Sequence, residues 1–238
     1  MRHRSLLISE FLRVYVMSVA ECLLDLAFVV DSSGSIIYKG QTNWDTALQF
    51  VANFSRQFII GPDNVRIAFV IFSTTAKVEW GLTRYHKKRQ LINAIRNVRY
   101  LGDKTNLNDA LYVIRTQVFA TSRGARPNAT KAAIILTDGE DDVPVPGTQL
   151  TLQNATACKN AEIRLIAIGI SNVVNRNRLL QIVSAPSDYH AVDEYNTLPT
   201  IVAQLQPRDI CFPTPPPPTP APVPVPSNVL HFVCSTHK

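Results

Sequence analysis

The chain has 238 residues, of which 46% are hydrophobic and 18% charged, with a formal charge of +6 and a sequence pI of about 9.3. That length holds one α/β domain with a large core or two small domains, and the balance is that of a folded chain, which excludes a mostly disordered one. The basic residues are dispersed apart from Lys87-Lys88-Arg89, which reads as a solvated helix face; with no aromatic-rich basic motif, a nucleic-acid partner is not expected.

The N-terminus starts basic at Met1-Arg-His-Arg4 and reaches the small residues Ser18-Val-Ala20 through an apolar stretch broken by Glu10 and Arg13. Residues 1–20 read as a signal peptide with a short apolar centre. They are too short and too charged for a membrane span, and no other segment qualifies as one. Four apolar runs follow, at residues 24–30, 65–72, 132–136 and 163–170. They are rich in Val, Ile, Phe and Ala and barely alternate, as strands do in a parallel sheet covered on both faces.

Segments with helical spacing lie between these runs. Residues 44–59 place Trp44, Leu48, Val51 or Ala52, and Phe58 three or four apart, and Leu91, Ile95 and Val98 repeat the spacing. Leu107, Leu111, Ile114 and Val118 form a further stripe, with Asn106 placed to cap it, and short helices are expected at 179–183 and 198–205. Residues 77–82 follow Phe72-Ser-Thr-Thr75 too closely for a crossover, so they read as an antiparallel edge strand made by a hairpin. The whole predicts an α/β, doubly wound, mostly parallel six-stranded sheet with one antiparallel edge strand and helices on both faces.

Polar clusters sit where such a sheet binds ligands, at the carboxyl ends of its strands. Asp31-Ser32-Ser33-Gly34-Ser35 follows the first run, Thr137-Asp138-Gly139 follows the third, and Gly102-Asp-Lys-Thr105-Asn106 precedes the helix from Leu107. Two carboxylates and several hydroxyls, with no His or Cys among them, suit Mg²⁺, Ca²⁺ or Mn²⁺ and not Zn²⁺ or copper. Asp31, Ser33 and Ser35 alternate, so one turn can aim three oxygens inward. Competing readings are a helix cap at Ser33 or Ser35, a phosphate loop, and an Asp31 phosphotransfer nucleophile. Asp31 would repel a phosphate, and neither GxGxxG nor GxxxxGK[ST] is present. Five scattered histidines offer no Ser-His-Asp or Cys-His constellation, so no enzymatic activity is expected.

Asp31-x-Ser33-x-Ser35, Thr105 within Gly-x-x-Thr-Asn, and Thr137-Asp138-Gly139 resemble the metal-ion-dependent adhesion site (MIDAS) of the von Willebrand factor A domain family. The resemblance covers residues 24–207 and includes Leu26-Ala-Phe-Val-Val-Asp31, Asn43-Trp44, Arg66-Ile-Ala-Phe-Val-Ile-Phe-Ser73, Ala133-Ile-Ile-Leu-Thr-Asp-Gly139 and Ile166-Ala-Ile-Gly-Ile170. Its style is nearest to extracellular matrix members such as matrilins and collagen A domains. The resemblance implies that Ser33, Ser35 and Thr105 give hydroxyl ligands to a metal, Mg²⁺ or else Ca²⁺ or Mn²⁺. It implies that Asp31 and Asp138 hold the site, often through water, and that an open position takes a partner's carboxylate. In the family this capture can couple to a shift of the last helix. Two departures stand out: Lys104 precedes Thr105 where many relatives have Gly, and Leu107 stands where many have Thr. Lys104 either repels a cation or recruits an anionic partner. Glu140-Asp141-Asp142 either raises cation affinity or solvates its loop.

The expected protein is therefore a secreted adhesion module of the extracellular matrix, binding a matrix or cell-surface protein through a metal-bridged carboxylate. The alternative is a structural matrix or biomineral-associated component that assembles through other faces. Cys22 and Cys211 bracket the folded region, expected at 22–211, and either bridge its ends in an oxidising compartment or stay as free thiols; pairing of Cys158 with Cys234 stays open. Of the sequons at Asn53, Asn128 and Asn154, Asn128 lies in a polar loop and best fits a glycan. Residues 212–226 hold nine of the 16 prolines and read as an extended linker, followed by a short tail at 227–238.

Overall fold

The computed structural model describes residues 22–139, 147–171 and 174–211. The expected signal peptide, the run Glu140-Asp141-Asp142, the proline-rich linker and the tail with Cys234 lie outside the described residues. All four continuous apolar runs are strands: β1 (Leu24–Asp31), β2 (Val65–Phe72), β4 (Thr130–Thr137) and β5 (Ile163–Ile170). The hairpin strand is β3 (Ala76–Trp80), antiparallel to β2 at one edge, and β6 (Tyr189–Val192) closes the other. The order is β3-β2-β1-β4-β5-β6, with every pairing except β2–β3 parallel. Fold class and edge strand thus match the sequence reading.

Every residue of β1 is buried because both of its faces are covered. Leu24, Leu26, Phe28 and Val30 face one layer, with α2 (Asn43–Ser55), α3 (Lys88–Arg96) and the C-terminal turns Tyr195–Thr200 and α7 (Ile201–Gln204). Ala27 and Val29 face the other, with α4 (Leu107–Val113), α5 (Gly147–Asn160) and α6 (Arg176–Ile182). Two-sided burial is what suppresses alternation in the sequence. Helix α2 ends at Ser55, not Ile59: Phe58 still reaches the core from the following turn, and Ile59 is exposed. Asn106 caps α4 as expected, its side chain accepting from Asp109 N, and the stripe continues through a π-turn at Ile114–Val118.

Among the described residues, two helices of six residues or more carry no clear sequence signal. One is α5, 14 residues long, which buries Thr151, Ala155 and Cys158 at helical spacing. The other is α1 (Gly34–Lys39), which follows β1 directly. No helix among the described residues is long and apolar enough to cross a membrane.

Cys22 and Cys211 form a disulfide, so the two ends of the described fold are joined across 189 residues. Cys158 is a buried free thiol, and burial pushes its pKa up to about 12. Asn128 is exposed in the turn before β4, whereas the Asn154 amide donates to Asn108 Oδ1 at 2.8 Å and Asn53 lies on α2 beside the buried Ser55.

Candidate metal centre

The strand order reverses at β1 and β4: β2 and β3 lie beyond one, β5 and β6 beyond the other. Loops leaving adjacent strands in opposite directions open a crevice at that point, and the candidate site sits in it. Asp31 is the last residue of β1 and Asp138 follows β4 directly; both are buried.

Each oxygen of Asp31 is engaged by the protein. Oδ1 accepts from Ser33 N at 2.9 Å, and Oδ2 accepts from Thr137 Oγ1 at 2.7 Å. Thr137 reaches it because Val30 pairs with Leu136, which sets the next residues level. Burial raises the Asp31 pKa to about 6, with the Asp138 charge acting the same way and the Ser33 and Thr137 hydrogen bonds opposing. A cation at the site would favour the ionised form instead.

Ser33 occupies the cap position of α1, yet its side chain makes no capping hydrogen bond. The hydroxyl lies 3.1 Å from Ser35 Oγ, and Ser35 Oγ donates to Asp138 Oδ1 at 2.7 Å. The capping explanation therefore fails for Ser33. Thr105 is buried, and a side chain grown on Gly139 would start 3.8 Å from both the Thr105 and Ser35 hydroxyls. The structure thus brings together all five residues singled out by sequence: Asp31, Ser33, Ser35, Thr105 and Asp138.

Ser32 and Gly34 hold the Thr105 loop. Ser32 Oγ accepts from Leu101 N at 2.8 Å and its carbonyl accepts from Gly102 N at 2.9 Å, while Gly34 N donates to Asp103 O at 2.7 Å. Gly102 and Asp103 take left-handed φ values of 83° and 78° there. The Gly34 backbone is not left-handed, and what glycine permits there is close approach, since a Cβ would stand 3.2 Å from Asp103 O. Lys104 is exposed beside Thr105.

Lys39 also belongs to the site, although sequence reading passed over it. Its Nζ donates to Asp138 O at 2.7 Å and stands 3.3 Å from Asp138 Oδ2. The contact to the buried Oδ2 is an ion pair that lacks hydrogen-bond geometry. Ser35 and Lys39 are four apart on α1 and so share a face. That signal was legible only to a reader who had placed α1. Tyr195 stands near both carboxylates, with its phenol in reach of Asp138; burial, then their charges and that contact, pushes it well above the ordinary range.

A hard divalent cation fits this chemistry. The donors are two buried carboxylates and three hydroxyls, all of them oxygens. Among the described residues no three His, Cys, Asp or Glu side chains gather as a metal cluster, so a cation here would rest on the hydroxyls.

The protein is thus a doubly wound α/β domain with a hydroxyl-and-carboxylate crevice at its switch point. A profile of the von Willebrand factor type A domain matches residues 25–204, and the chain belongs to that family. It is 33% identical over 185 residues to the collagen alpha-1(XII) chain of Notophthalmus viridescens, covering 76% of this chain and 19% of that protein. It is 32% identical over 185 residues to vitrin of Mus musculus, covering 76% and 26%. The chain thus spans about a quarter or less of the length of these relatives. Among solved structures it is similar in fold to proximal thread matrix protein 1 from the mussel byssus with a zinc-occupied MIDAS motif. That match has a TM-score of 0.71 at 23% identity and covers 77% of this chain and 47% of that one. Manganese-loaded Plasmodium vivax TRAP protein matches with a TM-score of 0.63 at 22% identity, covering 79% and 74%.

Proposed function

We propose that this chain is an extracellular, non-catalytic binding module that captures a carboxylate of a matrix or cell-surface protein through a divalent cation. Mg²⁺ is the favoured ion, with Ca²⁺ or Mn²⁺ as substitutes. Ser33, Ser35 and Thr105 would offer it hydroxyl oxygens, with Asp31 and Asp138 behind them. Held mainly by neutral oxygens, such an ion supplies an under-neutralised position that attracts an outside anion.

The observation that carries this reading is the convergence, in one crevice, of two buried carboxylates, Asp31 and Asp138, with the Ser33, Ser35 and Thr105 hydroxyls. Burying two carboxylates together is costly, so a site that retains them has a use for the charge. The protein residues divide the remaining work. Thr137 and Ser33 N fix the Asp31 carboxylate, Ser35 fixes Asp138, and Ser32 fixes the loop that carries Thr105. Family membership, matrix relatives such as the collagen alpha-1(XII) chain, and a disulfide suited to an oxidising compartment support an extracellular setting. In the same reading residues 1–20 are a signal peptide, 22–211 the A domain, 212–226 a spacer and 227–238 a tail, and Asn128 carries a glycan.

The test is binding of the chain to immobilised fibrillar collagen in Mg²⁺, in EDTA, and for Asp31→Ala. Binding confined to wild type in Mg²⁺ is expected. Binding that survives both EDTA and Asp31→Ala would instead favour structural assembly through other faces.

A further inference from the structure

We infer that Lys39 is a tethered counter-cation that competes with the divalent ion for Asp138 and so sets the cation concentration at which the site fills. The inference rests on the metal-site reading above. Two carboxylates buried side by side repel one another and need a compensating charge. Among the described residues the ion pair made at this site is Lys39 with Asp138. The ammonium serves the Asp138 carbonyl at 2.7 Å and its carboxylate Oδ2 at 3.3 Å. It therefore stands on the oxygen that a cation would claim.

The Lys39 side chain is 32% exposed, so its ammonium has a path to solvent once it gives up the Asp138 carbonyl. A neighbouring cavity of about 380 Å³ is lined by Lys39 itself, Ser171, Asp193 and Glu194. Asp193 and Glu194 are exposed and acidic, which gives the displaced ammonium a second anionic station. Lys39 thus has one place on the empty site and another beside the filled one. Repulsion between a +1 ammonium and a +2 ion sharing one carboxylate, even at the dielectric constant of water, is enough for about a tenfold change in affinity.

The experiment titrates Mg²⁺ into wild type, Lys39→Met and Lys39→Arg by calorimetry, with Mn²⁺ binding followed by electron paramagnetic resonance and thermal melts in EDTA and in saturating Mg²⁺. Lys39→Met, which keeps the stem and removes the charge, is expected to bind about tenfold tighter. Lys39→Arg is expected to stay near wild type. In EDTA, Lys39→Met is expected to melt below wild type, and saturating Mg²⁺ is expected to close that gap. Should wild type bind Mg²⁺ while Lys39→Met binds no tighter, or should Lys39→Arg tighten equally, the counter-cation inference falls and the metal site stands. Should none of the three bind Mg²⁺ or Mn²⁺, the metal-site reading falls and takes the inference with it.

Discussion

Asp25→Asn separates what holds the fold from what the crevice does. Asp25 is fully buried near the start of β1, at the end of the sheet opposite the crevice. Its Oδ2 accepts from Arg126 N at 2.7 Å, and its Oδ1 accepts from Arg126 Nε at 2.9 Å with Nη2 at 2.8 Å. The same guanidinium donates to the carbonyls of Pro62, Leu24 and Asn64, so it stitches the segments entering β1, β2 and β4. Asparagine keeps the shape but removes the charge and turns an N–H towards either the guanidinium or the Arg126 backbone N–H. Breaking a buried pair on one side costs roughly 3–5 kcal/mol. Arg126 keeps its three carbonyl acceptors and 13% side-chain exposure, so the low end, about 3 kcal/mol, applies. For a chain of this size that lowers Tm by roughly 6–12 °C. The six residues from Asp25 to Asp31 in β1 put about 20 Å between the pair and the crevice, so Mg²⁺ affinity well below Tm should not change. Scanning calorimetry reads the first quantity and isothermal titration the second. A Tm loss under about 2 °C would refute the ion-pair reasoning. A weakened Mg²⁺ affinity would refute the separation of the two ends.

The Cys22–Cys211 bridge spans 189 residues, for which chain entropy alone gives about 5 kcal/mol, so Cys22→Ser with Cys211→Ser should lower the urea midpoint by an amount worth several kcal/mol. A loss below about 1 kcal/mol would mean that packing alone holds the ends. His190 on β6 has a lowered pKa, first from burial and also from Arg164, against the Gln204 hydrogen bond and the Asp188 charge. The folded chain then binds its proton less readily than the unfolded one, so this stability is present above about pH 6.5 and is lost as pH falls below it. Unfolding free energies from pH 7.5 to 5.5 should fall further for wild type than for His190→Asn; parallel curves would remove His190 as the cause.

Legibility in the sequence followed burial. The four central strands, covered on both sides, were written as unbroken apolar runs, and the edge strand β3 was betrayed by the short hairpin before it. Helix α5 left no such mark because the residues it buries, Thr151, Ala155 and Cys158, are small or polar and draw no apolar stripe. Strand β6 is four residues long with only Val192 fully buried, too little for a run. In the site, the residues with oxygen donors in a recognisable order were legible. Those that position them were not: Ser32 acts through a loop about 70 residues away, and Lys39 through a helix that only the structure reveals. Such contacts are set by topology, and local spacing does not encode them.

The most direct test of the metal centre is Mg²⁺ calorimetry on the wild-type chain and on the Ser33→Ala, Ser35→Ala double variant. Melts of both in EDTA provide the check on folding. The geometry predicts one saturable site per wild-type chain and none in the variant, with closely similar melting temperatures without metal. Equal binding by both proteins, or no binding by the wild type, would contradict it.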